Sequence, residues 1–208
     1  MGGQVRGEAR GGARCGAILS SMHMLPRTLW HLGFAGRRGP ALAMHEVSAS
    51  RFRVWPTDLD LLLHMNNGKY LSIMDVARFD LMQRTGVWAV FRREGWYPVV
   101  VAQTISYRKS LNPWMGFAIE SRIMGFDEQA VYVEQRFVRP DAAGGPEVYA
   151  RAIVRARILR RAGGVVPIPE LIDRTGAEES AFEVPEEILE WGRATRLPST
   201  REPAVSVW

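Results

Sequence analysis

The segment at residues 58–70 holds the side chains of this chain that are best suited to chemistry. It gathers two carboxylates, one imidazole and two amides within thirteen residues: Asp58, Asp60, His64, Asn66 and Asn67. A carboxylate can attack an electrophilic carbon directly, or it can remove a proton from an attacking water. The segment lies between a strand-like run and a helix-like run, and a helix start offers unpaired backbone N–H groups and the positive end of the helix dipole. The sequence therefore predicts a site in which a carboxylate faces donors that stabilise negative charge.

Asp60 is the stronger of the two acid candidates. Three leucines follow it, Leu61, Leu62 and Leu63, and an apolar surround makes a carboxylate a stronger base. The alternative interpretation is an aspartate that only caps a turn. Asp58 is predicted to be a loop residue that accepts hydrogen bonds from nearby N–H groups.

His64 has two interpretations. It can orient a substrate or a water, or help to position Asp60. It can equally be a capping histidine, or a buried one that is satisfied by hydrogen bonds. No second His or Cys stands at ligand spacing, so the sequence predicts neither a metal site nor another cofactor.

A long helix is predicted directly after the polar segment, from residue 67 to residue 84. Its apolar residues recur at helical spacing: Tyr70, Leu71, Ile73, Met74, Ala77, Leu81 and Met82. Asn66 or Asn67 can cap its start, and Gly86 stands where a left-handed residue commonly ends a helix. Tyr70 falls one turn into the helix, where it either packs in the core or lines a binding pocket.

Strand-like runs surround this helix. One precedes it at 51–55, and four follow at 97–109, 117–126, 130–139 and 148–160. Turn-forming links of hairpin length separate the last four runs. The order of elements indicates an α+β fold, in which an antiparallel sheet of about five strands wraps around one long central helix.

The two ends of the chain differ from this middle part. Residues 1–43 are predicted to be a basic, disordered tail, or an extension that precedes the true start. The folded domain is predicted at 44–165. Residues 166–208 are predicted to be a C-terminal extension with short helices at 169–173 and 185–193.

The positive charge of the chain is concentrated in the tail. Residues 1–40 carry six arginines against one acid, Glu8, which leaves 21 basic and 21 acidic residues after position 40. A nucleic-acid partner is therefore not predicted, because it requires clustered charge on the domain itself. No run of 18 apolar residues is present, although the basic tail is compatible with attachment to a membrane surface. The single cysteine, Cys15, forms no internal disulfide, which suits a reducing compartment and predicts a cytoplasmic location.

The order Asp-x-Asp-x-x-x-His-Met-Asn-Asn-x-x-Tyr at residues 58–70 resembles the hotdog-fold acyl-CoA thioesterases of the 4-hydroxybenzoyl-CoA thioesterase type. The longer stretch 53–79 is similar to the subgroup called thioesterase superfamily member six-like. Later segments carry the same resemblance, which covers roughly residues 50–165: Tyr107-Arg-Lys-Ser-Leu, Met124-Gly-Phe-Asp-Glu and Val131-Tyr-Val-Glu-Gln-Arg-Phe.

The resemblance implies a hotdog fold whose dimers, or dimers of dimers, carry acyl-thioester sites at the subunit interface. Asp60 aligns with the catalytic aspartate, and the thioester belongs to coenzyme A or to an acyl-carrier protein. His64 and Asn67 join Asp60 as catalytic candidates, the latter through a backbone N–H that points at the thioester oxygen. Asn66 and Tyr70 are the substrate-binding candidates. The sequence does not distinguish a nucleophilic Asp60 from one that acts as a general base.

Other charged residues have weaker claims. Some other hotdog thioesterases carry their catalytic acid on the central helix, and for Asp75 the competing explanation is an ion pair with Arg78. Four basic residues are candidates for the phosphates of coenzyme A, with solvated strand charges as the alternative: Arg108, Lys109, Arg136 and Arg139.

The predicted function is hydrolysis of an acyl thioester to a free acid and a thiol. One alternative is a non-catalytic module that binds acyl thioesters and retains the fold. Another is a hotdog dehydratase or hydratase. The spacing of Asp60 and His64 does not exclude this last class, although the Met-Asn-Asn that follows speaks against it.

Overall fold

Five strands and one long helix form the centre of the molecule in a computed structural model, which describes residues 39–198 and 203–206. The elements in chain order are β1 (Ser48–Arg53), α1 (Asn67–Arg84), α2 (Val87–Glu94), β2 (Trp96–Tyr107), β3 (Gly116–Phe126), β4 (Val131–Pro140), β5 (Pro146–Arg160), α3 (Ile168–Thr175) and α4 (Glu186–Ala194). The predicted α+β fold with one long helix is confirmed. Most of the predicted tail, residues 1–38, lies outside the described residues.

Helix α1 begins and ends where its flanking residues allow. The Asn66 side chain accepts a hydrogen bond from the backbone N of Gly68 at 2.8 Å, so Asn66 is the cap. After the last turn, Gly86 adopts a left-handed φ of 76°, which a residue with a Cβ rarely takes. Gly95 ends α2 in the same way, with φ 68°. A left-handed glycine therefore follows each of the two helices.

The sheet is antiparallel throughout, in the order β1-β3-β4-β5-β2. One of its faces packs against α1. The helix residues buried there include Ile73, Met74, Ala77 and Leu81, and full burial of a large apolar side chain contributes about 1.5–3 kcal/mol. This apolar layer holds α1, and with it the polar segment that precedes it, against the sheet.

The polar segment lies at one end of the sheet, which we call the turn end. Here β1 finishes at Arg53 opposite the first residue of β3, Gly116, and β2 finishes at Tyr107 opposite Ala150. Backbone hydrogen bonds tie the 54–66 loop to the loop before β3, because Val54 N donates to the Met115 carbonyl and Met65 N to that of Leu111, both at 2.9 Å.

The residues after β5 pack on both faces of the sheet. Ile168 and Leu171 of α3 join the core beside α1. Helix α4 covers part of the opposite face, where its apolar residues surround Met124, Tyr132 and Ile153. The predicted short helices at 169–173 and 185–193 correspond to α3 and α4. No helix of the described residues is long and apolar enough to cross a membrane.

Candidate active site

Asp58 has a structural role in the 54–66 loop. It is buried, and its Oδ2 accepts a hydrogen bond from the backbone N of Trp55 at 2.9 Å. Its carbonyl accepts from Asn66 N at 2.8 Å. Asp58 thus joins the end of β1 to the cap of α1, as expected of a loop aspartate.

Asp60 closes the tight turn that follows. Its Oδ1 accepts hydrogen bonds from the backbone N of Leu62 at 2.8 Å and of His64 at 3.4 Å, and its own N donates to the His64 carbonyl at 2.9 Å. Within the described part of the chain, Oδ2 accepts no hydrogen bond. One carboxylate oxygen therefore orients the half-buried side chain, and the other is open to react.

The leucine turn (Leu61, Leu62 and Leu63) does not surround Asp60. The three side chains are 100%, 75% and 67% exposed in the single chain. The expectation of an apolar surround is wrong for the isolated subunit. The cause is local, because the hydrogen bonds to Asp60 and a left-handed φ of 60° at Leu63 direct this turn into solvent.

His64 is exposed, and within residues 39–198 its imidazole makes no hydrogen bond. It therefore matches neither the capping nor the buried alternative. Its backbone is held by Asp60, which donates to the His64 carbonyl and accepts from the His64 N–H.

The start of α1 presents one unpaired donor. The N–H of Gly68 is taken by the Asn66 side chain, and the N–H groups of Lys69 and Tyr70 reach the Asn66 carbonyl at 2.8 and 3.4 Å. Among the described residues, the N–H of Asn67 has no acceptor. Asn67 is the first helical residue, so this donor lies at the positive end of the helix dipole.

Tyr70 is a buried core residue beside this helix start. Its ring lies 5.0 Å from that of Tyr107 and 4.9 Å from that of Phe137. Burial raises the pKa of the Tyr70 hydroxyl, and a backbone hydrogen bond at Leu111 partly offsets the rise. Tyr107, by contrast, is half-exposed, so it is Tyr107 that presents an aromatic edge to solvent.

The weaker candidates are mostly engaged with other protein groups. Asp75 forms the expected ion pair with Arg78. Arg108 and Lys109 both bind Glu147, at 2.9 and 2.6 Å. Arg136 binds Glu134 at 2.9 Å. No group of three or more potential metal ligands occurs among the described residues.

The sequence reasoning missed an aromatic pair at the turn end. Trp55 and Trp114 meet edge to face at 5.9 Å, and each is about half exposed. Their backbones are joined nearby, since Trp114 N donates to the Val54 carbonyl at 2.9 Å. The available signal was their position in turns beside Pro56 and Pro113 rather than in periodic apolar runs.

A five-stranded antiparallel sheet packed on one long helix is the hotdog fold, and solved thioesterases share it. The probable thioesterase YbaW from Escherichia coli aligns with a TM-score of 0.55 at 20% identity, over 61% of this chain and 94% of that one. The 4-hydroxybenzoyl CoA thioesterase from Pseudomonas sp. strain CBS-3 aligns with a TM-score of 0.53 at 13% identity, over 62% and 98%. At these identities the likeness establishes the fold.

The chain belongs to the Thioesterase-like superfamily, whose sequence profile matches residues 54–192. Protein THEM6 from Xenopus laevis is 36% identical over 138 residues, which cover 66% of this chain and 63% of that protein. Protein THEM6 from Danio rerio is 44% identical over 86 residues, 41% of this chain and 43% of that protein. The matches thus span less than two thirds of these relatives.

Proposed function

We propose that this protein hydrolyses acyl thioesters at the junction between the Asp60 turn and the start of α1. One observation carries the proposal. Asp60, with an open carboxylate oxygen, lies in the 54–66 loop, and Asn67, with an unpaired N–H, begins the helix that follows; the loop is tied to the helix start by the bond from Asn66 N to the Asp58 carbonyl. Thioester hydrolysis requires a base or nucleophile together with a donor for the developing oxyanion.

Asp60 acts in one of two ways. As a general base, it takes a proton from water while the water oxygen bonds to the thioester carbon. The oxyanion is held by the Asn67 N–H, then collapses and expels the thiolate, which receives the proton. As a nucleophile, the Asp60 carboxylate bonds to that carbon, and the C–S bond breaks to release the thiolate. Water then cleaves the resulting anhydride, and the proton that this water loses converts the thiolate into the thiol. Both routes consume one water and give one acid and one thiol.

The substrate contacts follow from the same geometry. Asn66 positions the donor by capping α1, His64 has a ring free to contact the thioester or the water, and Tyr70 forms the floor of the site. The thiol carrier is proposed to be coenzyme A or a carrier protein. A cytoplasmic location stays a prediction from the sequence.

A homodimer is part of the proposal, because two apolar features of the single chain face water. The leucine turn is exposed beside Asp60. Strand β2 is an edge strand of twelve residues without a charged side chain, whereas the opposite edge, β1, is half as long and carries Arg51 and Arg53. A long uncharged edge is a ready template for pairing with a second sheet.

The test is thiol release from a panel of acyl-CoAs by the Asp60→Asn variant. We expect the rate to fall by about 10²–10⁴-fold, the usual contribution of a positioned acid or base. Glu187→Gln is the matched control, since it removes an exposed carboxylate from α4, which lies on the sheet face opposite α1. Full activity in Asp60→Asn, or an equal loss in Glu187→Gln, contradicts the assignment. Substrate binding without thiol release by the wild-type chain indicates the non-catalytic alternative.

A further inference from the structure

An apolar cavity of about 220 Å³ lies between α1, α2, α3 and the sheet, away from the turn end. Its walls are formed mainly by Leu81, Phe91, Ile123, Val131, Ile158 and Leu171. The charged residues of its lining are Asp75 and Arg78, which pair with each other. Arg78 also donates to Gln135 at 2.6 Å, so this polar rim is satisfied by the protein itself.

The cavity lies in line with the candidate active site. Leu71, Asp75, Arg78 and Met82 share one face of α1 because their spacing follows the helical period, and the last three line the cavity. Asn67 stands one turn before Leu71 on the same helix.

Strand β2 carries residues that lie at both the turn end and the cavity. Its final residue, Tyr107, contacts Tyr70 at the turn end. Ile105 then packs against the core, and Val100 lines the cavity. We infer that a bound chain would follow this line, from the start of α1 past Leu71 and Ile105 to the cavity.

The distance from the start of α1 to the cavity can be expressed as a number of carbon atoms in an extended acyl chain. Asp75 lies eight positions after Asn67, which is about 12 Å of helix at 1.5 Å per residue. An extended alkyl chain advances about 1.25 Å per carbon, given a C–C bond of about 1.5 Å at a near-tetrahedral angle. About ten carbons therefore reach the rim, and the cavity has room for about seven further groups of the volume of a water, about 30 Å³ each.

We propose that the cavity holds the distal part of a long aliphatic acyl chain, so that the substrates are long-chain rather than short or aromatic thioesters. This inference rests on the proposed function, because it places the thioester carbonyl at the N–H of Asn67. Asp75 and Arg78 at the rim neutralise each other, so they do not oppose the entry of an uncharged chain. Each methylene that enters the cavity is removed from water by the apolar walls, which favours binding.

The experiment measures kcat/KM for thiol release from acyl-CoAs of 6 to 18 carbons by the full chain, a range chosen to bracket the rim at about ten carbons. We expect kcat/KM to rise beyond about ten carbons, by up to about fourfold per methylene. Ala156→Leu fills the cavity and should lower kcat/KM for the longest chains about tenfold or more while sparing the six-carbon substrate. Leu171→Ala enlarges the cavity and should favour longer chains.

Ala118→Leu is the matched control, since Ala118 lies on the sheet face turned away from α1 and should leave the profile unchanged. A flat dependence on chain length, or an equal change at every length in both cavity variants, overturns the inference while leaving the hydrolase assignment intact. A shift from dimer to monomer in Ala156→Leu with an unchanged length profile also overturns it, because a second copy would then cover the cavity.

The cavity can also be tested if the proposed hydrolase activity is absent. If no acyl-CoA is hydrolysed, calorimetric titration with hexadecanoyl-CoA tests the cavity directly. Binding that Ala156→Leu weakens and Ala118→Leu does not supports the inference, whereas equal binding by all three proteins overturns it.

Discussion

At the scale of single residues, Asn67 is proposed to contribute its backbone N–H and not its side chain, and two substitutions separate these roles. Proline is favoured at the first helical position, and Asn66 already has the extended backbone, φ −60° and ψ 137°, that a following proline requires. Asn67→Pro therefore removes the N–H while the helix is kept. We expect thiol release to fall about 100-fold or more, with the wild-type rate retained in Asn67→Ala.

The control for this pair is thermal unfolding, which should be nearly the same in both variants because the exposed Asn67 side chain forms no hydrogen bond within the described part of the chain. A wild-type rate in Asn67→Pro would exclude this N–H as the oxyanion donor.

Glu134 couples stability to pH. It is 1% exposed, and its carboxylate accepts hydrogen bonds from the Nε atoms of Arg151, Arg122 and Arg136 at 2.7, 2.8 and 2.9 Å. Burial alone would raise the pKa of Glu134, but the three arginines together lower it below the ordinary 4.5. Because the pKa of Glu134 is lower in the folded state than in the unfolded state, the ionised carboxylate stabilises the protein at pH values above the unfolded-state pKa. This stabilisation is lost as the pH falls through the folded-state pKa.

Glu134→Gln should therefore lower the free energy of unfolding at neutral pH by about 2 kcal/mol and make its decline below pH 4.5 shallower. Urea unfolding between pH 3 and 7, the span of carboxylate titration, measures both effects. The exposed Glu187→Gln is the control and should follow the wild type. If the free energy of unfolding of Glu134→Gln falls with decreasing pH as steeply as that of the wild type, Glu134 is not the source of the pH dependence.

At the scale of elements, α4 depends on one glycine for its close approach to the sheet. A Cβ at Gly192 would overlap the hydroxyl of Tyr132. That hydroxyl donates to Asp127 at 2.9 Å, and Asp127 in turn binds Arg155 at 2.7 Å. The contact thus lies on a buried polar network as well as on the apolar surface beneath α4.

Gly192→Ala should destabilise the protein by about 1–3 kcal/mol through overpacking, even though alanine forms helices better than glycine by about 1 kcal/mol. Chemical unfolding gives the change, and hydrogen exchange of the α4 amides shows whether the helix has moved. Glu187→Ala on the same helix, an exposed position, is the control. A more stable Gly192→Ala variant would contradict this packing.

The elements also show which parts of the structure the sequence could predict. Helix α1 was predictable because its period, its Asn66 cap and its terminal Gly86 agree with one another. The sequence predicts the start of β1 three residues late, at residue 51, because Ser48 and Ser50 are small polar residues. Their hydroxyls are buried in hydrogen bonds to Asp80, at 3.0 and 2.8 Å, a contact from α1 that a local pattern does not contain.

The polar segment was predictable as a site, but its geometry was not. Residue types indicated Asp60 and the helix start, while the direction of the leucine turn depends on the backbone conformation at Leu63. For Asp58, the sequence predicts a loop residue that accepts hydrogen bonds, but it does not predict that these bonds join β1 to α1. Contacts between loops that are distant in sequence, such as Trp55 with Trp114, leave little trace in a single sequence.

At the scale of the whole molecule, the free edge of β2 is proposed to join two subunits. Val101→Lys places a charge in the middle of this edge, where Val101 is already partly exposed, and edge charges prevent strand pairing. We expect sedimentation velocity to show a dimer for the wild type and a 23.4 kDa monomer for the variant. Activity should fall with the dimer, because the site is proposed to lie at the interface.

Val47→Lys is the control, since it charges a valine of similar exposure, 49% against 42% for Val101, beside the opposite edge strand. A wild type that sediments as a monomer at the concentration of the activity assay, with full turnover, would contradict the dimer.

The exposed leucine turn has a consequence for how the stability of the protein depends on its concentration. The proposed dimer would shield these three aliphatic side chains, which a single subunit leaves in water. Only native subunits would form such a dimer, so dimerisation would make the free energy of unfolding rise with protein concentration. We therefore expect the protein to unfold more readily when it is diluted.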